Sequence, residues 1–197
     1  MIEQQRAADA TAPAPPRAGW GEKLLPFAIM GLVLLADQLT KYLVETRIPL
    51  YGVWAPIPAL EGIFRIVHTA NTGAVFGLFQ GTGMFFAGLA VVVAGAIIYF
   101  NLTLPGQQWL LRIALGLQLG GALGNFIDRL RQGHVTDFVD TGPWFIWNLA
   151  DLAITSGVIL FAFAYWREIR REEAAKRAAD EAKAANATEL TDLPDHQ

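Results

Sequence analysis

The chain has 197 residues, a length that suggests one domain. With 53% hydrophobic and 17% charged residues and a positive mean hydropathy, it is too apolar for a typical soluble domain. A net charge of −3 lends no support to a nucleic-acid role, and the lack of cysteine excludes disulfides, zinc–thiolate sites and a cysteine nucleophile. The three histidines, His68, His134 and His196, form neither HExxH nor a pair at helical spacing, so no metal or other cofactor is expected.

Residues 1–23 are rich in Ala, Pro and charge. They read as a disordered tail rather than a signal peptide, because the apolar stretch arrives too late and no small-x-small cleavage site follows. Leu24–Val44 is the first spanning candidate, 21 residues and long enough for a hydrocarbon core of roughly 30 Å. Between it and the next span lies a connection, 45–83, too long for a mere linker. Within it, GIFRIVHT (62–69) alternates Ile63, Arg65 and Val67 against Phe64, Ile66 and His68, as a half-buried strand would. Tyr51–Ile57 is a strand partner confined to an edge by Pro56 and Pro58. NTGAVFG (71–77) reads as a turn back into the membrane, and Trp54, Phe64 and Phe76 are expected near the headgroups.

Met84–Leu104 and Trp109–Asp128 are the second and third spans, joined antiparallel by Pro105-Gly106. Asn148–Trp166 is the fourth, closed by a basic cluster; beyond Arg167 the Ala, Glu, Lys and Arg run reads as a frayed helix with a disordered end. The two tails and the 105–108 turn with Arg112 carry ten Lys or Arg, whereas the other connections carry four: Arg47, Arg65, Arg129 and Arg131. The positive-inside rule then places both termini in the cytoplasm and the 45–83 and 130–147 connections outside.

With that topology and about 1.5 Å of rise per helical residue, the polar groups gather in the outer leaflet. Asp37 and Lys41 share one face of the first span, Asn71 marks the entry to the second, Asn125 and Asp128 end the third, and Asn148 and Asp151 begin the fourth. A transporter needs polar groups through the full depth; here they suggest a one-sided site. Most have a plain structural reading as well. Asp37–Lys41 is an i,i+4 ion pair that fixes packing, and Asp128–Arg129 anchors a helix end. Gly116, Gly120 and Gly124 allow close helix approach, His68 and His134 are surface or loop polar residues, and Asp140 forms a turn. Asp137 and Asp151 are harder to explain in that way, since each is a carboxylate among apolar neighbours. Two carboxylates meeting in a low-dielectric pocket share a proton, so one can activate water while the other polarises a carbonyl. No GxSxG nucleophile elbow competes with that chemistry. A transporter-like or purely structural four-helix protein is the rival class.

Five blocks in order, ADQLTKYLV (36–44), NTGAVFG (71–77), GALGNFIDR (121–129), VTDF (135–138) and WNLAD (147–151), resemble the lipoprotein signal peptidases, the bacterial type II signal peptidases. One block would carry little weight; five around the membrane segments are specific. The resemblance covers roughly residues 24–166. It implies an α-helical membrane protein with four transmembrane helices, a small periplasmic β-sheet and both termini cytoplasmic, in the bacterial inner membrane. Residues 1–23 and 167–197 would be cytoplasmic tails. The implied activity is aspartic endopeptidase cleavage of prolipoproteins before a lipobox cysteine that carries diacylglycerol. Carried over, the catalytic pair falls on Asp137 and Asp151. Supporting residues fall on Asp37, Lys41, Asn71, Gly73, Asn125, Asp128, Arg129, Asn148 and Ala150. The expected partners are lipid-modified prolipoproteins and membrane lipids, with no nucleic acid, and the chain is expected to act as a monomer. Two departures stand out: Trp147 where the family often has Phe, and an interval between Asp137 and Asp151 shorter than in many relatives.

Overall fold

The structure, a computed structural model, describes residues 16–73 and 83–191, with side chains of the last helix described to Glu181. The part of the expected 71–77 turn beyond Gly73, Phe76 within it, and the expectations for residues 1–15 and 192–197 lie outside the described residues. The last four residues of the tail expected over 1–23 instead form the first turn of a helix that begins at Trp20. Four helices follow from the four apolar runs: α1 (Trp20–Arg47), α2 (Gly83–Thr103), α3 (Trp109–Gln132) and α4 (Leu149–Thr191). Each is long and apolar enough to cross a membrane. The charged run past Arg167 simply continues α4, as expected of a sequence rich in strong helix formers.

The third helix is the centre of the bundle: 56% of its spanning window is buried, against 17–22% for the other three. Glycine makes this possible. A Cβ on Gly116 would lie 2.7 Å from the Pro26 carbonyl oxygen and one on Gly120 2.7 Å from Val33, so α1 lies directly on the α3 backbone. A Cβ on Gly121 would stand 2.4 Å from the Ala150 oxygen, which brings the start of α4 equally close. Ile97, Leu104, Leu111, Leu115, Leu119 and Ala164 form the buried apolar cluster below.

A four-stranded antiparallel sheet covers one end of the bundle in the order β1 (Val53–Trp54), β2 (Arg65–Asn71), β3 (Val135–Asp140) and β4 (Ile146–Trp147). The expected pairing of the 51–57 and 62–69 stretches is present as β1 on β2, but β2 also pairs with β3, from the segment that follows α3. Gly133, at φ 79°, ends α3 in the left-handed conformation and lets the chain turn into β3. The ladder between β2 and β3 is interrupted between Ile66 and Thr69. Without that bulge Arg65 and Asn71, six residues apart, would point the same way. With it, Arg65 faces Asp140 while Asn71 joins Asp137 on the opposite face. His68 falls at the bulge and is buried, its Nδ1 2.9 Å from the Ile48 oxygen, rather than lying on the surface. Trp54 is exposed and Phe64 half-buried.

Candidate active site

Asn148 caps α4. Its Oδ1 accepts the Asp151 N–H at 3.0 Å, and its own N–H donates to Asp151 Oδ2 at 3.3 Å. This reciprocal pair satisfies two backbone donors that a helix start would otherwise leave bare. The carboxyl of Asp151 is thereby held at the helix mouth. A third donor of the same turn, Ala150 N–H, is taken by Asp37 Oδ1 at 2.9 Å.

The same asparagine reaches the second carboxyl. Asn148 Nδ2 donates to Asp137 Oδ1 at 2.6 Å, and Asn71 Nδ2 donates to Asp137 Oδ2 at 2.8 Å. Asp151 Oδ1 accepts Asn125 Nδ2 at 2.8 Å. Three asparagines therefore present their amide N–H groups to two carboxyls, and each is prevented from turning over by a donor on its oxygen. Gly73 N–H holds Asn71, Asp151 N–H holds Asn148, and Lys41 with Asn148 holds Asn125. Asp137 is 3% exposed, whereas Asp151 is half-buried. Burial, then the neighbouring Asp151 charge, pushes the Asp137 carboxyl up to about 6, against the pull of the Asn71 and Asn148 hydrogen bonds.

Beneath the carboxyls lies a closed ionic network. Lys41 Nζ is 2.9 Å from Asp37 Oδ2, 2.8 Å from Asp128 Oδ2 and 2.9 Å from Asn125 Oδ1, three acceptors for three protons. All three ionic side chains are fully buried. Room for Asp37 exists because residue 124 is glycine: a Cβ there would lie 2.4 Å from Asp37 Oδ2. Asp128 does not pair with Arg129. It accepts Gln38 Nε2 at 3.0 Å and the Thr136 N–H at 3.3 Å, so it fastens the start of β3. Arg129 instead donates to the Asn125 and Gly73 carbonyls at 3.2 and 3.3 Å and lies over the Phe86 ring, 5.6 Å from its centroid.

All eleven positions singled out in the sequence gather at the sheet end of the bundle. Sequence reasoning missed Gln38, which bridges Asp37 and Asp128. Its signal was a polar side chain inside an apolar span, beside an aspartate. It also missed Glu45 and Thr136, which lie at segment ends where polar residues are ordinary. Among the described residues no group of three or more His, Cys, Asp or Glu is placed to hold a metal ion.

Comparison with known proteins agrees with the geometry. The signal peptidase (SPase) II family, Peptidase_A8, matches residues 29–167. The lipoprotein signal peptidase of Moorella thermoacetica is 42% identical over 140 residues, 71% of this chain and 91% of that protein. The one from Shouchella clausii is 44% identical over 151 residues, 76% and 98% of the two chains. A solved structure of a bacterial membrane enzyme, obtained by the in meso method at 2.3 Å resolution, superposes with a TM-score of 0.69 at 32% identity. That match covers 80% of this chain and 94% of the other. The chain thus belongs to the signal peptidase II family, the lipoprotein signal peptidases, bacterial membrane proteases that remove signal peptides from prolipoproteins.

Proposed function

We propose that this protein is an intramembrane aspartic endopeptidase that cuts diacylglyceryl-modified prolipoproteins immediately before the lipidated lipobox cysteine. The observation that carries the reading is Asn148, which donates its side-chain amide to the Asp137 carboxyl and its backbone N–H to the Asp151 carboxyl. Asp151, the more accessible carboxyl, is the ionised base. It takes a proton from a water whose oxygen attacks the scissile carbonyl carbon. Asp137, the more deeply buried of the two, holds the pair's shared proton and gives it to the carbonyl oxygen as the tetrahedral diol forms. Collapse of the diol breaks the C–N bond: one hydroxyl proton returns to Asp137 as the carboxyl forms, and the proton held by Asp151 passes to the leaving amine. The products are a signal peptide with a free carboxyl and a lipoprotein beginning at cysteine. Asn125, Asn71 and Asn148 orient the pair. Arg129, whose buried Nε has no partner among the described residues, can offer a donor to the substrate backbone. Asn71 and Gly73 form the edge at which the lipid-bearing end of the substrate is clamped.

The basic-residue count orients the molecule with both termini cytoplasmic and the sheet on the periplasmic side. The substrate then arrives with its acyl chains in the outer leaflet and its signal helix across the membrane, and the protein acts on it as a monomer. A reporter fused after Trp166 is expected to work only in the cytoplasm and one inserted near Pro58 only outside; the reverse would overturn the orientation. The test of the chemistry is cleavage of a diacylglyceryl-modified lipobox peptide by wild type, Asp137→Asn and Asp151→Asn. Each variant keeps the side-chain shape but loses the one-proton state, so turnover should fall by orders of magnitude in folded protein, and wild-type activity should decline on both sides of a pH optimum. Near-normal rates in either variant would end the aspartic mechanism.

A further inference from the structure

Polar side chains recur every fourth residue on α1 as Asp37, Lys41 and Glu45, and on α3 as Asp128 and Gln132. This spacing keeps each set on one helix face, one turn apart. The lower rungs meet at Lys41, as described above. The top rung meets a residue of the sheet. Thr136 Oγ1 donates to Glu45 Oε1 at 2.7 Å and accepts Gln132 Nε2 at 2.8 Å. Because Gln132 fills the acceptor role, the hydroxyl proton is directed at Glu45. Arg131 Nη2 holds both oxygens of Glu45, at 2.7 and 2.9 Å. The backbone N–H of the same threonine is bound one rung lower by Asp128 Oδ2. Thr136 is fully buried and immediately precedes Asp137.

We propose that Glu45 and Thr136 form a clamp that sets the position of Asp137 against Asp151, making both of them positioning residues for the hydrolysis. This rests on Asp137 belonging to the catalytic pair. Thr136 and Asp137 point to opposite sides of β3. One therefore grips the helix ends while the other carries its carboxyl to Asn71 and Asn148. Two anchors on Thr136, at the backbone and at the hydroxyl, fix both the height of the strand over α1 and α3 and its rotation about its own axis. With the hydroxyl unheld, β3 keeps its ladders to β2 and β4 and its backbone bond to Asp128, but it can tilt against the helix ends, and the Asp137 oxygens move relative to Asp151. A displacement of that kind lowers the chemical step far more than it lowers substrate binding, because Thr136 itself is fully buried and offers the substrate no surface.

The experiment uses the full-length protein in detergent with a diacylglyceryl-modified lipobox peptide, and compares wild type, Thr136→Val, Thr136→Ser, Glu45→Leu, the Glu45→Leu/Thr136→Val double variant and Asp137→Asn. Rates are normalised to folded protein from thermal unfolding. Thr136→Val and Glu45→Leu are each expected to lower kcat by about tenfold to a hundredfold while KM changes by less than about twofold. Thr136→Ser, which keeps the hydroxyl, should restore kcat to within about threefold of wild type, and the double variant should be no slower than the worse single one. The side chain of Glu45 is partly exposed, so Glu45→Leu reports on the clamp even if Thr136→Val folds poorly. A kcat within about twofold of wild type in either clamp variant, a serine variant as slow as valine, or additive losses would overturn the clamp. If Asp137→Asn is inactive and the clamp variants are normal, only this inference falls. If Asp137→Asn turns over normally, the catalytic assignment falls with it.

Discussion

Among the described residues two cations are completely buried, one towards each end of the bundle, and they are used in opposite ways. Arg112 lies at the end away from the sheet. It donates to the carbonyls of Asn101, Leu104 and Pro105 at 2.9–3.1 Å and to the Asn101 side chain. Its planar fork of donors suits the bare carbonyls at the C-terminal end of α2, and Asn101 continues the tie to the Lys23 carbonyl of α1. All of these acceptors are neutral, and the network ends on backbone. Lys41, at the sheet end, gathers two carboxylates and an asparagine oxygen from two helices around a point charge. This network does not stop. Asn125, fixed through its oxygen, turns its amide N–H to Asp151. Burial of a charge is common to both ends, so burial alone does not mark function. What separates them is where the hydrogen bonds lead.

The sharpest way to break this contrast is to remove each cation in turn. Lys41→Met leaves Asp37 and Asp128 buried without their countercharge. Stability should fall by about 3–5 kcal/mol, and turnover per folded molecule by about a hundredfold as Asn125 loses its orientation. Thermal unfolding and kcat in detergent measure the two losses separately. If folded Lys41→Met turned over normally, the Lys41 network would be structural like its counterpart. Arg112→Leu should cost about 2–3 kcal/mol for the carbonyls left bare at the end of α2, yet leave kcat within about twofold. A large kcat loss in that variant would erase the distinction from the other side.

Stability against pH sharpens the description of the sheet end. Asp137 binds its proton more tightly folded than unfolded. Its contribution to stability is therefore fully present below the unfolded value of 3.8 and is lost as pH rises through about 6. Asp137→Asn should abolish that slope, changing the stability difference from wild type by on the order of 2–3 kcal/mol between pH 4 and 7. Parallel curves for the two proteins would show that the folded state does not perturb this carboxyl. A smaller loss of turnover than at Lys41 is expected at Asp128, which supports Lys41 and the start of β3 and touches neither the Asp137 nor the Asp151 carboxyl. Asp128→Asn should lower kcat by about tenfold, with measurable turnover and a pH profile of unchanged shape. Complete loss in a stable protein would move the catalytic assignment towards Asp128.

The membrane spans were legible in the sequence because length and hydropathy are local properties. Twenty consecutive apolar residues declare a span whatever surrounds them. Asp137 and Asp151 stood out as candidates for a related reason, as carboxylates among apolar neighbours with no Lys or Arg in the fourth span. The i,i+4 pair of Asp37 and Lys41 was also visible, since both partners lie on one helix. The tertiary structure decided everything that depends on two distant segments meeting. Alternation along 62–69 assigns the faces of that strand correctly only up to the bulge. There Val67 and His68 are both buried and the faces exchange, because the register is set by the partner strand and not by the strand itself. The role of Asn125 has the same origin. An amide can present either end, and Lys41, 84 positions away in the chain, together with Asn148 dictates that the N–H side faces Asp151. Glu45 and Thr136, 91 positions apart, are unremarkable residues at segment ends until α1 and α3 come together beneath β3.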